Sequence, residues 1–306
     1  MILTRQRQAV MRWIDDNILE LGREMRLSYL PPLMVYCAAG VSGLTSIVGT
    51  FFVKDYLDLS AAFLAGLGFW AGIPWALKMP IGHLVDLLWR YKSGLVYLGA
   101  SLIAASLLIM IGLIGKPDAM RAVMAAEAWF VLATLLAPVG YVMQDAVADA
   151  MTVEAVPRID ADGRPLLAET VRLMHTTMQM LGRVAIIGGT VLVALANVAM
   201  FQGTEALPES AKAAIYLRLY ELALVIPLLS VSGVILAAVL RRREAGRLAA
   251  LGRDAREIHR LLHEAEEQTT PNWWILGGSA AFIAVTLTVG LSGVAYGQEL
   301  IFLSSF

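Results

Sequence analysis

Charge is scarce in this chain. Asp, Glu, Lys and Arg make up 16% of the 306 residues against 58% hydrophobic ones. With a mean hydropathy of +0.68, that is more apolar surface than a soluble domain can hide, so a membrane protein is the default class. Cysteine is scarcer still. The single Cys37 lies in an apolar run, which excludes an intrachain disulfide and a thiolate-built metal site. No glycine-rich phosphate loop, dinucleotide fingerprint or nucleophilic serine or cysteine arrangement occurs, so nothing points to an enzyme, a cofactor or a nucleic-acid partner. A secretory signal is also missing: Met1 to Arg26 carries both signs of charge and has no short apolar core with a small-residue cleavage site. Residues 1–29 read instead as an amphipathic cytoplasmic segment.

What is present is a series of long apolar runs. Hydrocarbon offers no water to backbone groups, so a spanning segment must be a helix of about 20 apolar residues. Seven segments qualify: Leu30–Val53, Ala62–Val85, Gly94–Gly115, Val123–Val147, Met180–Phe201, Ile215–Leu240 and Trp273–Phe306. With a cytoplasmic N-terminus, one side collects the N-terminal arginines, Arg90 and Lys92, then Arg158, Arg164 and Arg172, and the arginines between Arg241 and Arg260. That is most of the 24 basic residues, and the positive-inside rule fixes the orientation accordingly.

Residues 30–240 thus form a six-helix bundle. Residues 241–271 follow as a charged cytoplasmic linker whose Leu248, Leu251, Ile258, Leu261 and Leu262 recur at helical spacing. Residues 272–306 begin a new span. Six helices, a long linker and another span is the layout of a transporter built from two parallel six-helix repeats. Gly40-Val41-Ser42-Gly43-Leu44 in the first span is echoed by Gly290-Leu291-Ser292-Gly293-Val294 in the seventh. The seventh span reaches Phe306 without a flanking charge, so the second half is expected to be incomplete here or supplied by a partner chain.

Between the second and third spans, Gly82, Asp86, Arg90 and Lys92 stand in a short loop signature: a small residue for close helix approach, a carboxylate four residues on, and a basic cluster at the interface. This resembles the conformational latch of the major facilitator superfamily, although the usual Gly-Arg-Arg ending is missing. The competing reading is an ordinary basic loop. Phe51 to Leu57, Pro74-Trp75-Ala76-Leu77-Lys78-Met79-Pro80, and Asp145 to Glu154 extend the likeness, which is similar to the folate/biopterin transporter branch. The resemblance implies twelve helices, alternating access, a pteridine, folate or other small organic anion as cargo, and a bacterial inner (plasma) membrane. A related branch, which Asp145 to Glu154 also resembles, implies a non-transporting scaffold for assembling light-harvesting pigment complexes.

Asp145 and Asp149 lie one turn apart on one helix face. Two carboxylates so close in a low-dielectric setting suit reversible proton binding. Alternatively they pair with Arg90, Lys92 or Arg158 as a structural latch, and an expected position near the headgroups favours this second reading. Lys78, between Pro74 and Pro80, and Arg183 either attract an anionic substrate or snorkel to the interface; for Arg183 snorkelling is favoured. Gln298 and Glu299 lie near the outer surface if the seventh helix is continuous, and deeper if it kinks at Gly290, Gly293 or Gly297. His259 and His263 share a helix face but lack a third ligand, so they read as solvated and not as a metal site. Gly188 and Gly189 read as helix contact points.

Overall fold

The computed structural model describes residues 25–46, 48–49, 59–160, 162–204, 207–263 and 270–292. Expectations for residues 1–24, for Phe51 to Leu57, and for the end of the seventh span with Gln298 and Glu299 lie outside the described residues. Among the described residues there is no strand beyond a single antiparallel bridge from Ile159 to Pro165. Seven helical segments among the described residues are long and apolar enough to cross a bilayer. The chain is an all-α integral membrane bundle.

The first span is α1 (Leu30–Gly40) continued by a 3-10 stretch, Val41–Thr45. The second is split into α2 (Ala61–Ala76) and α3 (Lys78–Leu87). Then come α4 (Lys92–Gly115), α5 (Ala126–Ala155) and α6 (Ala168–Phe201). The sixth span is α7 (Glu209–Ala223) with α8 (Val225–Ala250), and α9 (Ala255–His263) precedes the seventh span, α10 (Trp273–Leu291). Helix α1 packs against α5, α6 and α8, while α4 packs against α5, α7 and α8, so α1, α4 and α5 hold the centre. One apolar core gathers Ile103, Leu107 and Phe130 with Leu219; a second gathers Val35, Val85, Val96 and Val147.

Local chemistry explains the breaks. Pro74 lacks an N–H and Pro80 follows closely, and between them Leu77 leaves helical geometry at φ −90°, ψ 8°. Ser60 accepts from the Phe63 N–H at 3.1 Å to start α2, and Asn272 accepts from the Trp274 N–H at 3.1 Å to start α10; both are ordinary N-caps. Helix α8 ends where Gly252 turns left-handed at φ 78°. There the Arg253 N–H reaches Leu248 O and the Gly252 N–H reaches Ala249 O, the hydrogen-bond pattern of a Schellman stop.

Glycines set the closest crossings. A Cβ on Gly99 would sit 2.8 Å from Gly140 O, and one on Gly140 would sit 2.6 Å from Gly99 O, so α4 and α5 meet backbone to backbone. A Cβ on Gly189 would lie 2.9 Å from the Gly40 backbone, as the contact-point reading expects, whereas Gly188 has open space.

Several helix ends differ from the sequence-based bounds, for one physical reason. Helices continue beyond the lipid because their backbone bonds are internal. Thus α5 runs to Ala155 and not Val147, α6 starts at Ala168 and not Met180, and α8 carries Arg241 to Arg247 on to Ala250. The helical linker segment shrinks to Ala255–His263 among the described residues.

Candidate functional site

Four polar side chains from three of the candidate spans converge. Helix α5 presents Asp145 and Asp149 on one face, and the break at Leu77 makes Lys78 the first residue of α3. Lys78 Nζ lies 2.5 Å from Asp145 Oδ2 and 3.1 Å from Asp149 Oδ2. From α1, the Tyr36 hydroxyl donates to Asp149 Oδ1 at 2.5 Å. Tyr36 is positioned by α6, where Gly182 leaves room for its ring: a Cβ there would be 2.8 Å from Tyr36 Cε2.

Exposure separates the two carboxylates. The Asp145 side chain is 9% exposed, Lys78 40% and Asp149 53%. Asp145 is therefore the covered partner of the lysine, and Asp149 the one that solvent reaches. Arg183, one residue beyond Gly182, is exposed and lies within electrostatic range of the Tyr36 hydroxyl. Lys78 with two carboxylates carries a formal charge of −1, and Arg183 brings the group to neutrality. Uncompensated charge within a membrane span is costly, so balanced clusters mark functional sites in membrane bundles.

Glu154 lies further along α5, in an ion network at the bundle end: Lys92 Nζ is 2.6 Å from Glu154 Oε1, and Arg241 Nη2 is 2.8 Å from Glu154 Oε2. At about 1.5 Å per residue, Asp145 lies roughly 13 Å along α5 from Glu154. The helix continues past both aspartates to Ala155. One expectation is corrected: Asp145 and Asp149 do not pair with Arg90, Lys92 or Arg158, since Lys78 holds both and Glu154 takes Lys92.

The four latch residues are not brought together as one network. Lys92 is buried, with its ammonium 4.1 Å from the centroid of the Trp89 ring. Arg90 stacks over Tyr91 at 5.6 Å. Asp86 is exposed and makes no ion pair among the described residues. Gly82 would meet nothing within 4 Å of an added Cβ, so no close helix approach among the described residues requires it. His83 Nε2 instead accepts from the Asn272 N–H at 2.9 Å, tying α3 to the start of α10.

Sequence reasoning missed Tyr36, Gln144, Ser230 and Arg241. Gln144 is fully buried beside Asp145, accepts from the Ser230 hydroxyl at 2.9 Å and donates to Val96 O at 3.3 Å, linking α5, α8 and α4. A polar side chain inside an apolar run was the available signal for Gln144 and Ser230, and Tyr36 carried a weaker version of it. His259 and His263 lie on α9, and no group of three metal-ligating side chains occurs among the described residues. Comparison with family models, curated proteins and solved structures gives no match.

Proposed function

We propose that this chain works as a secondary active transporter of the major-facilitator type, similar to the folate/biopterin branch, which moves a small organic anion by alternating access. The observation that carries the reading is the Lys78, Asp145, Asp149 and Tyr36 cluster, which joins three spans and leaves Lys78 and Asp149 partly uncovered. Charge arithmetic supplies the coupling. A proton on Asp149 leaves Lys78 and Arg183 opposed by Asp145 alone, a net +1 that draws an anion into a low-dielectric setting. Loss of that proton restores the Lys78–Asp149 pair and expels the anion. The cargo is thus moved together with a proton.

The bundle supports a two-body mechanism in a second way. The second and seventh spans are the least covered of the seven, and this is the surface that a second bundle would occupy as the two halves rock about a midplane site. Both the α1 and α10 helices end at the echoed Gly-x-Ser-Gly segment, at Gly40 and Leu291. Gly82 and Asp86, open in this bundle, would face that second body.

The test is uptake of folate and of pteridine carboxylates by proteoliposomes. Asp149→Asn and Lys78→Ala are expected to abolish uptake while leaving expression and helical content intact. Wild-type uptake by both variants would overturn the reading.

A further inference from the structure

A cavity of about 830 Å³ opens at the basic end of the bundle, between the start of α1, the end of α5, the outer part of α8, and α9. Its apolar lining includes Met151, Val156, Leu240 and Leu261. Arg26, Arg158 and Arg243 also line it, and none of the three makes an ion pair among the described residues. The cavity's acidic residues are already engaged. Glu154 is held by Lys92 and Arg241, and Glu244 by Arg247. The Asp160 carboxylate accepts from the N–H groups of Asp162 and Arg164 at 2.9 and 2.8 Å. Those neutral donors leave Asp160 its charge, so the three arginines without an ion pair face one carboxylate, and the balance of about +2 stands over apolar walls.

We infer that this cavity binds an anionic phospholipid, with the phosphate held by Arg26, Arg158 and Arg243 and the upper acyl chain laid on the apolar lining. Arginine's planar fork suits phosphate oxygens. Basic pockets between helices near the membrane surface recognise anionic headgroups in this way. A soluble phosphate would use the arginines but leave the apolar walls unfilled, whereas each acyl methylene buried there strengthens binding about fourfold. The site is separate from the Lys78 cluster and does not depend on what the protein transports.

The experiment is titration of delipidated full-length protein in neutral detergent with dioleoyl phosphatidylglycerol, followed by native mass spectrometry. Dioleoyl phosphatidylcholine and glycerol 3-phosphate are the comparison probes. One phosphatidylglycerol is expected to bind saturably, with phosphatidylcholine at least tenfold weaker. The triple variant R26Q/R158Q/R243Q is expected to lose phosphatidylglycerol affinity about 100-fold, from roughly 1 kcal/mol per basic residue at tenfold per 1.4 kcal/mol. Arg253→Gln, at the same end of the bundle but outside the cavity, is expected to change affinity less than threefold. Should the triple variant not fold, Arg243→Gln alone is expected to weaken binding about fivefold. Equal affinity for the two lipids, unchanged affinity in the charge variants, or glycerol 3-phosphate binding as tightly as the lipid would each overturn the assignment.

Discussion

Replacing Lys78 with Met takes away the cation that both Asp145 and Asp149 face. Asp145 is the residue that suffers, because its side chain is 9% exposed against 53% for Asp149. Removing one partner of a fully buried ion pair costs about 3–5 kcal/mol. Lys78 is itself 40% exposed, so part of that interaction is already screened, and a loss of roughly 2 kcal/mol is expected. Asp145→Asn should cost less, about 1 kcal/mol, because Lys78 keeps Asp149 at 3.1 Å. The double variant leaves neither a buried unpaired carboxylate nor a lysine in search of one. It is expected to be about 1 kcal/mol below wild type, a coupling of roughly 2 kcal/mol between the two sites. Equilibrium unfolding in mixed detergent micelles measures all four corners of this cycle. Additive single losses, or a Lys78→Met variant as stable as wild type, would refute the ion pair as an anchoring element.

Three further outcomes follow from packing and polar contacts. Gly140→Leu is expected to destabilise by at least about 1–3 kcal/mol because its Cβ alone would press on Gly99 O at 2.6 Å, whereas Gly188→Leu, with open space, should be near neutral in the same unfolding assay. Glu154→Gln removes the carboxylate shared by buried Lys92 and Arg241 and is expected to cost about 2 kcal/mol. Arg241→Gln, on the more exposed arm, should cost under about 1 kcal/mol. Ser230→Ala removes a donor to buried Gln144 and should cost about 0.6 kcal/mol, and at most about 1.7, as interhelical hydrogen bonds in bilayers do; combined with Gln144→Leu, most of that loss should disappear.

The number of spans was legible because apolar length is a strong signal that tertiary context does not alter. Helix ends were not, because polar residues such as Arg172 break the apolar run although they belong to α6, which starts at Ala168. That error carried a functional consequence. Ending the fourth span at Val147 left Asp149 beyond the helix, whereas α5 runs on to Ala155 and presents Asp149 to Lys78 and Tyr36. Lys78 was recognised as a candidate from its flanking prolines, and the break at Leu77 confirms the local geometry behind that choice. Its partners were hidden because Tyr36, Lys78 and Asp149 are far apart in the chain and no periodicity links them. The pairing of Glu154 with Arg241 was hidden for the same reason. Gly82 illustrates the opposite limit: a small residue at helical spacing need not mark a close crossing within its own bundle.

The most direct test of proton-linked anion movement is folate or pteridine carboxylate accumulation by wild-type and Asp149→Asn proteoliposomes, with and without an imposed pH gradient. Gradient-driven accumulation above the external concentration is expected in the wild type, and none in Asp149→Asn even though the variant binds the probe. Identical probe levels with and without the gradient, or gradient-driven accumulation that survives in Asp149→Asn, would contradict it.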